Sequence, residues 1–333
     1  MASSAADPAV SVALCTYNGE AYVREQVRSI LAQSVAVSEI VVGDDGSSDA
    51  TVDIVTALAA ASDIPVRLAF TSRVGGIRAN MERTLSACSG AIIAMADQDD
   101  VWRPDKVERL LAAFSARPSL LMLHTDARIV DATGHPTGDT LLGRLGASPS
   151  ERAALVAGDA WSVLLRRNLV TGATTALRRE LLDIALPLAP SWVHDEWLAI
   201  IAASRGGLAL LDEPLIDYRV HGGNQIGAEE RTLGYRVRRM LSSRGDRLET
   251  LARRGEELAE RLDALGAGAD ARANAAVRAD ARAKLDFDRE RAAIPASRLR
   301  RVGAVRRAAK GGRYARLASQ GRLDIARDLL AAP

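Results

Sequence analysis

Cysteine is scarce in this chain of 333 residues, which holds only Cys15 and Cys88. Two cysteines make neither a disulfide framework nor the ligand spacing of a structural zinc site, and their scarcity fits a reducing compartment. The sequence shows no basic and apolar secretory signal, and no apolar run approaches the roughly 20 residues that span a bilayer. We therefore expect a cytoplasmic protein.

Aromatic residues are also few, at 4% of the chain, so the core must depend on aliphatic side chains. The apolar content of 48% is high enough for one large domain or two. The glycine pattern G-x-G-x-x-G is missing after the first apolar run, which argues against a dinucleotide-dependent dehydrogenase.

The net charge of +2 combines two regions of opposite sign. Residues 1–230 hold 19 basic and 29 acidic side chains, a net of −10, whereas residues 231–333 hold 25 and 13, a net of +12. A basic segment of this kind suggests peripheral contact with an anionic membrane, or with the acidic region of the chain itself. The alternative is a solvated helical extension that packs on the core or on a partner.

Short apolar runs alternate with helical patterns over the first hundred residues. The runs predicted as strands are Val10–Cys15, Ile40–Gly43, Val66–Phe70 and Ala91–Ala96. The segments predicted as helices are Glu20–Gln33, Ala50–Ala61 and Asn80–Ala87. This alternation is typical of a doubly wound parallel α/β sheet, in which ligands bind beyond the carboxyl ends of the strands. Polar clusters follow three of these ends, at residues 15–18, 44–49 and 97–100.

The rest of the chain has a less regular pattern. The predicted elements are helices at Lys106–Phe114, at residues 152–168 and from Trp197 through Ala203, strands at Leu120–His124, Thr171–Leu177 and Leu208–Leu211, and an extended segment at Ile216–His221. Residues 131–150 are rich in Gly, Pro, Thr and Ser and predict a loop over the site. We expect residues 1–9 to be disordered, residues 10–227 to form one domain, and residues 228–333 to form two or three helices, broken near residues 266–268 and 311–312.

Three carboxylates, Asp97, Asp99 and Asp100, lie within four residues, directly after the apolar run Ala91–Ala96. Like charges this close repel one another at the end of a buried strand unless something compensates them. Mg²⁺ and Mn²⁺ do so, because they prefer carboxylate oxygens and often bind through one or two of them plus the phosphates of a substrate. The sequence therefore predicts a metal–diphosphate site. The alternative is a solvated acidic turn that caps the helix starting near residues 103–106.

Five motifs together resemble the family 2 glycosyltransferases, which are inverting enzymes of the GT-A fold that use nucleotide-diphospho-sugars. The motifs are Thr16–Asn18, Val42–Thr51, Asp97–Trp102, His194–Trp197 and Tyr218–Gln225, and they follow the family's order over about residues 1–226. The forms D-Q-D-D-x-W and Y-R-x-H-x-x-N are most similar to bacterial rhamnosyltransferase-type members. The resemblance implies a GT-A type doubly wound mixed sheet with a Rossmann-like nucleotide-binding half, followed here by a helical C-terminal extension that the resemblance does not cover.

The resemblance implies a set of contacts to the nucleotide-sugar donor. Tyr17 would pack on the base, and Asp44 and Asp45 would hydrogen-bond the base or the ribose. The run Asp-Gly-Ser-Ser-Asp is equally good turn and helix-cap chemistry, so a structural role for the two carboxylates stays open. Arg219 would clamp a phosphate, and His221 would contact the diphosphate or complete the metal shell. The other residues implied on the donor side are Cys15, Thr16, Asn18, Arg73, Arg78, Asn80, Asp97 and Gln98.

The resemblance also implies the metal ligands, the base and the acceptor side. Asp99 would contact the metal directly, and Asp97 would bind sugar hydroxyls or reach the metal through water. Asp195 would take the proton of the acceptor hydroxyl as general base. The family often has Glu-Asp where this chain has His194 and Asp195, so Glu196 stays an alternative base. The residues implied on the acceptor side are Asp100, Trp102, Asp126, Thr171, Gly172, Glu196 and Trp197.

These expectations predict a metal-dependent inverting glycosyltransferase that moves a sugar from a dTDP- or UDP-sugar, with rhamnose the leading choice, to a saccharide or lipid-linked acceptor in cell-surface glycan assembly. The metal would be Mg²⁺ or Mn²⁺, and no nucleic acid is expected. A nucleotidyltransferase also combines an α/β sheet with acidic metal ligands, but residues 15–20 contain no basic side chain for a phosphate loop. A non-catalytic nucleotide-sugar-binding protein is the third alternative.

Overall fold

A computed structural model describes residues 8–73, 75–222, 245–266, 271–295 and 297–330. These residues divide into two compact units. The first holds residues 8–160, 169–188 and 193–222, and the second holds residues 161–168, 189–192 and 245–330 apart from its gaps. The predicted domain boundary between residues 227 and 228 and most of the predicted disordered segment 1–9 lie outside the described residues. The second unit also takes two short segments from the predicted first domain.

The strands of the first unit form one mixed sheet in the described part of the chain. They are β1 (Val10–Thr16), β2 (Glu39–Asp44), β3 (Val66–Phe70), β4 (Ile92–Asp97), β5 (Val101–Trp102), β6 (Met122–Val130), β7 (Pro136–Thr140), β8 (Thr175–Arg178) and β9 (Leu208–Arg219). Their order is β3-β2-β1-β4-β8-β6-β9-β5, with β7 on β6. The pairs from β3 to β4 are parallel, as predicted, whereas β8 runs antiparallel to both of its neighbours.

The helices of the first unit connect these strands. They are α1 (Val23–Leu31), α2 (Thr51–Ala60), α3 (Ile77–Ala87), α4 (Lys106–Ala116), α5 (Leu141–Arg144), α6 (Pro149–Ala157), α8 (Leu181–Ala185) and α9 (His194–Ser204), while α7 (Trp161–Leu164) belongs to the second unit. The predicted α/β organisation of the first hundred residues is therefore confirmed, with each helix within a few residues of its predicted span.

Burial explains why the parallel strands, β1 to β4, could be predicted from the sequence. Every residue of β1 and β2 is buried, so both faces of these strands need apolar or small side chains. Gly43 shows how closely α3 packs on the sheet, because a Cβ there would lie 2.0 Å from Thr84 Oγ1 and 2.5 Å from Asn80 Oδ1. Only a residue without a side chain allows this approach.

The two-residue strand β5 brings the acidic loop to the far side of the sheet. Val101 and Trp102 pair antiparallel with Asp217 and Ile216 of β9. The loop that leaves β4 therefore ends beside the carboxyl end of β9. Residues about 120 positions apart in the chain meet at this point, and they form the core of the site described below.

Three predictions for the middle of the chain were wrong in part. Residues 131–150 are not one loop, because they contain β7, α5 and the start of α6. Residues 152–168 are not one helix, because α6 ends at Ala157 with Gly158 in the left-handed region (φ 88°). The strand predicted at Leu208–Leu211 continues unbroken to Arg219, with an irregular register near Pro214.

The C-terminal part of the second unit is helical, as predicted, but the helices are more numerous. The described residues form α10 (Gly245–Ala264), α11 (Ala271–Ala292), α12 (Arg298–Ala309), α13 (Arg313–Leu317) and α14 (Leu323–Leu330). The predicted break near residues 311–312 is present, with Gly311 and Gly312 at positive φ, while the predicted break at 266–268 lies mostly outside the described residues. Among the described residues, no helix has the length and apolarity needed to cross a membrane.

A buried ion-pair cluster connects three of these helices. Arg291 of α11 donates to the carboxylate of Asp328 in α14 (Nε to Oδ2, 2.6 Å; Nη2 to Oδ1, 3.1 Å). The Tyr314 hydroxyl of α13 donates to the same carboxylate (2.7 Å). All three side chains are buried. Because a buried charge is tolerated only when it is paired and hydrogen-bonded, this cluster fixes how the helices of the unit pack.

Candidate active site

The ends of β1 and β2 form one side of the site. The Thr16 hydroxyl donates to the Asp44 carboxylate across the two strands (2.7 Å). The same carboxylate accepts from the backbone N–H groups of Gly46 (3.0 Å) and Ser47 (2.7 Å) and from the Ser47 hydroxyl (2.6 Å). With four donors on its two oxygens, Asp44 holds this turn together. The geometry favours the structural role for Asp44 that the sequence left open.

Tyr17 is held at the edge of the site by Gln98. The backbone N–H of Tyr17 donates to Gln98 Oε1 (2.8 Å), and Gln98 Nε2 donates to the Tyr17 carbonyl (3.1 Å). Gly19 packs against the same amide, since a Cβ there would lie 2.2 Å from Gln98 Oε1. The Tyr17 side chain is 40% exposed, which leaves its ring open for stacking. The Gln98 side chain therefore positions Tyr17 instead of facing a ligand.

Two other predicted donor residues lie in the core. The Cys15 thiol is buried, with Sγ 3.7 Å from Thr84 Oγ1. The Asn80 side chain is buried and donates through Nδ2 to the Gly43 carbonyl (2.9 Å). Both side chains are used in packing α3 on the sheet. For these two residues, the arrangement argues against the predicted donor contact.

Asp45, Arg73 and Arg78 border the loop before α3. Asp45 Oδ2 accepts from the backbone N–H of Gly76 (2.9 Å) and so ties this loop to the end of β2. Arg73 is exposed and Arg78 is half-buried, so both remain at the surface of this edge. Asn18 adopts the left-handed conformation (φ 47°) that its predicted turn requires.

The acidic loop and the end of β9 meet directly. Asp99 Oδ2 lies 2.9 Å from His221 Nε2, and both side chains are largely buried. Arg219 Nε donates to the Asp99 carbonyl (2.9 Å), and the Arg219 backbone N–H donates to Asp100 Oδ1 (3.1 Å). The Arg219 guanidinium also pairs with Glu25 (2.7 Å). Arg219 therefore braces the acidic loop, and this engagement argues against its predicted role as a phosphate clamp.

Burial and mutual repulsion raise the pKa values of two carboxyls in this loop. The pKa of Asp97 is raised to about 7, first by burial, then by the charges of Asp99 and Asp195. The pKa of Asp100 is raised well above its usual value by burial and by Asp99 and Asp97. Because the charges of both Asp99 and Asp195 raise the pKa of Asp97, the acidic loop and the start of α9 face the same site.

A buried lysine sits behind these carboxylates. Lys106 Nζ donates to the Ala173 carbonyl (3.1 Å) and lies 3.9 Å from the centroid of the Trp102 ring. Its burial lowers the pKa of Lys106 to about 7, and the negative charges of Asp100 and Asp97 act in the opposite direction. Lys106 is thus the compensating cation that the chain itself supplies. Trp102 is buried under it and supports the loop.

Asp195 is oriented by two backbone donors. Asp195 Oδ2 accepts from the Gly172 N–H (2.8 Å), and Oδ1 accepts from the Glu196 N–H (2.7 Å) at the start of α9. His194 is buried beside it, and in the described residues neither of its ring nitrogens has a hydrogen-bond partner. Burial lowers the pKa of His194, which keeps the imidazole neutral. Glu196 is half-buried and follows Asp195 on the same turn.

The remaining acceptor-side predictions divide into two groups. Trp197 is buried and donates through Nε1 to the Ala185 carbonyl (2.7 Å), so it is a core residue. Asp126 is also buried, and its carboxylate pairs with Arg152 (2.6 Å). Neither faces the site in a way that favours acceptor contact. Thr171 instead begins the 3-10 turn Gly172–Thr174, which carries the backbone donor to Asp195.

The fold therefore collects the carboxylates at 97, 99, 100 and 195 with His221, and it leaves several predicted residues as supports. Sequence reasoning missed Lys106 and Glu25 entirely. Lys106 opens an amphipathic helix, where a lysine normally points into water, so nothing in the local pattern marked it. Glu25 gave no signal either, because it lies in the middle of a predicted helix nearly 200 residues from Arg219.

The described residues contain no group of three or more His, Cys, Asp or Glu side chains arranged to hold a metal ion. The pair Asp99 and His221 supplies two ligand atoms 2.9 Å apart. Two protein ligands fit a hard cation that keeps several waters or takes oxygens from a substrate's phosphates. The residues present therefore fit an ion bound jointly with a diphosphate.

Comparison with known proteins agrees with this geometry. Residues 11–150 match the model of glycosyl transferase family 2. An uncharacterized glycosyltransferase of Nostoc sp. is 31% identical over 223 residues, which cover 65% of this chain and 66% of the relative. The chain thus spans just under two thirds of that relative's length.

Two solved structures share the fold. TarS 1–349 of S. aureus in complex with UDP-GlcNAc superposes with a TM-score of 0.57 at 17% identity, covering 90% of this chain and 80% of TarS 1–349. The mannosyltransferase PcManGT of Pyrobaculum calidifontis, in complex with GDP-Man and Mn²⁺, gives 0.51 at 20% identity, covering 92% and 77%. The family match covers residues 11–150, and the two solved structures show that the fold is of the GT-A type.

Proposed function

We propose that this protein transfers a sugar from a nucleotide-diphospho-sugar to a hydroxyl of an acceptor, with inversion at the anomeric carbon. The observation that carries the proposal is the convergence of Asp99, His221 and Asp195, whose common neighbour Asp97 feels the charges of both Asp99 and Asp195. A metal–diphosphate pair on one side and a general base on the other are what such a displacement requires.

On the donor side, Tyr17 would stack on the base, because its ring is exposed at the carboxyl edge of the sheet. The half-buried or exposed residues near it, Asp45, Arg73 and Arg78, would complete the pocket. Our leading donor is a dTDP- or UDP-sugar, with rhamnose as the sugar, and this choice depends on the form of the acidic motif and of the Tyr218–His221 motif. The two structural relatives bind different nucleotides, UDP-GlcNAc and GDP-Man, so they do not select between donors.

Asp99 and His221 would hold Mg²⁺ or Mn²⁺ together with the diphosphate, and Asp97 would lie beside them. When bound, the ion neutralises charge that grows on the leaving diphosphate. Arg219 holds the Asp99 backbone through its carbonyl, and the 2.9 Å between Asp99 Oδ2 and His221 Nε2 brings the two ligand atoms together. The ion would replace the hydrogen bond between these two atoms.

Asp195 would take the proton from the acceptor hydroxyl as its oxygen attacks the anomeric carbon. Its two backbone hydrogen bonds fix the carboxylate and leave lone pairs for that proton. Glu196, the alternative base, is half-buried and one residue further along α9. We favour Asp195 because its charge helps to raise the pKa of Asp97, as expected for a carboxylate near the acidic loop.

The acceptor would be a saccharide or a lipid-linked saccharide in cell-surface glycan assembly. We propose that the protein works at the cytoplasmic face of a membrane, which the basic region 231–333 would contact. The net charge of +12 in this region supports the proposal, since anionic lipids attract such segments.

The test measures release of nucleoside diphosphate from a panel of dTDP- and UDP-sugars with Mn²⁺ and with a chelator. Asp195→Asn should lower turnover by about 10²–10⁴-fold, as expected for loss of a general base. Asp99→Asn should weaken metal binding and so raise the Mn²⁺ concentration needed for turnover. Chelation of the metal should abolish turnover. Asp63→Asn, at an exposed carboxylate, is the matched control.

Three outcomes would contradict the assignment. If Asp195→Asn and Asp99→Asn both turned over a good donor like the wild type, the site would be wrong. If Glu196→Gln were inactive while Asp195→Asn was normal, the base would be Glu196. Donor binding without any turnover, by wild-type protein supplied with acceptors, would instead support a non-catalytic binding protein.

A further inference from the structure

We propose that the exposed face of α12 (Arg298–Ala309) is the surface that binds anionic lipid. This inference rests on the proposed function in one respect, because a lipid-linked acceptor gives the enzyme a reason to bind a membrane. The surrounding segment is unusual, since residues 291–323 hold ten arginines and lysines and not one Asp or Glu. Its positive charge therefore has no acidic neighbours along the chain.

The helix has one buried face and one charged face. Arg301, Val305 and Ala308 are buried in the second unit. Arg300, Val302, Gly303, Arg306 and Arg307 are exposed, and at 100° per residue they fall on one continuous arc opposite the buried residues. The exposed face is thus a single stripe that a flat surface can contact along about two turns.

The charges of this stripe differ from those of two exposed arginines on α11. On α11, Arg282 pairs with Asp263 (2.9 Å) and Arg289 pairs with Glu256 (2.7 Å). Arg306 and Arg307 pair with no carboxylate among the residues that the structure describes, and the same is true of Arg300. A single solvated arginine needs no carboxylate partner. A whole stripe of arginines without such partners leaves its positive charge available to bind an external anion.

A bilayer fits this stripe better than a nucleic acid does. Val302 is 43% exposed between the arginines, beside Gly303, so the stripe offers apolar contact as well as charge. Interfacial helices combine these two features. The sequence of α12 has no aromatic side chain on which a base could stack.

The experiment compares two double variants that remove the same charge. Binding of the full chain to vesicles of phosphatidylglycerol and phosphatidylcholine is measured by co-sedimentation, with pure phosphatidylcholine vesicles alongside. If each arginine contributes about a fivefold gain in affinity at an anionic surface, R306Q/R307Q should bind about 30-fold more weakly. R282Q/R289Q, whose arginines are ion-paired, should bind within about threefold of the wild type, and raising the salt should weaken wild-type binding.

Nucleoside diphosphate release in solution should be the same for both variants. A failure of the lipid-binding proposal can therefore be told apart from a failure of the proposed function. Thermal melting of both variants checks that the helical unit is intact. We expect it to be, because the substituted arginines are exposed. Equal losses in the two double variants would overturn the proposal, as would equal binding to pure phosphatidylcholine. Tighter binding to an oligonucleotide than to anionic vesicles, lost in R306Q/R307Q, would also overturn it.

Discussion

His124 gives the sharpest stability prediction, because it is a buried histidine without a visible partner. It lies in β6, paired with Thr175 of β8 and Leu210 of β9, and its side chain is fully buried. In the described residues neither ring nitrogen has a hydrogen-bond partner. Burial lowers its pKa from 6.5 to about 4, and the nearby charge of Asp126 only partly opposes this. The imidazole is therefore neutral in the folded protein.

The sign of the pH dependence follows from that lowered pKa. Between pH 6.5 and 4 the unfolded chain binds a proton at His124 and the folded chain does not, so stability is lost as the pH falls through this window. The difference between the two pKa values corresponds to about 3 kcal/mol in full, and most of this is lost by pH 4.5.

Urea unfolding at pH 7.5 and pH 4.5, followed by circular dichroism, measures this loss. His124→Leu should lose about 2–3 kcal/mol less than the wild type between the two pH values, because it has no imidazole to protonate. Other groups, including Asp97, titrate in both proteins and cancel in the comparison. His135→Gln, at an exposed histidine, is the control and should behave like the wild type. An equal loss in wild type and His124→Leu would refute the reasoning.

Three further predictions follow from the same packing. Asp328→Asn should destabilise the helical unit by about 3–5 kcal/mol in thermal unfolding, because it uncouples a buried ion pair; a loss below about 1 kcal/mol would contradict this. Lys106→Met should cost about 1–3 kcal/mol by leaving the Ala173 carbonyl unpaired, with urea unfolding as the measurement and an unchanged midpoint as the contrary result. Gly172→Ala brings a Cβ to 2.9 Å from a neighbouring imidazole and should lower kcat about 10-fold or more through misplacement of the base. Gly303→Ala, whose Cβ would meet only the end of the Arg307 side chain at 3.8 Å, should keep wild-type kcat.

The parallel strands β1 to β4 were predictable because they are short and mainly apolar, and all of them except β3 are almost wholly buried. β7 was missed for the opposite reason, since four of its five residues are exposed and carry no apolar alternation. The helix predicted at residues 152–168 includes most of α6, but its start at Pro149 was missed although Ser148 and Glu151 form a capping box there. β9 was divided in the prediction by the polar stretch at residues 212–214, where the strand continues with an irregular register.

The carboxylates of the candidate site could be predicted from the sequence, but the residues that hold them in position could not. Motifs identified Asp97, Asp99 and Asp195 because acidic residues at strand and helix ends stand out in a sequence. The hydrogen-bond partners of a side chain depend on contacts between distant segments, and these decide that Gln98 holds Tyr17 and that Arg219 braces a loop. Such assignments need the tertiary fold, since an arginine that clamps a phosphate and one that pairs with a glutamate look alike in one sequence.

The pairing of β5 with β9 has a consequence for how this protein folds during its synthesis on the ribosome. The acidic loop is synthesised early, but its anchoring strand is made more than 100 residues later. A nascent chain that stops at residue 150, where the family match ends, has the loop without Asp195, Arg219 or His221. We therefore expect the acidic loop to reach its position beside Arg219 and His221 only once β9 has left the exit tunnel.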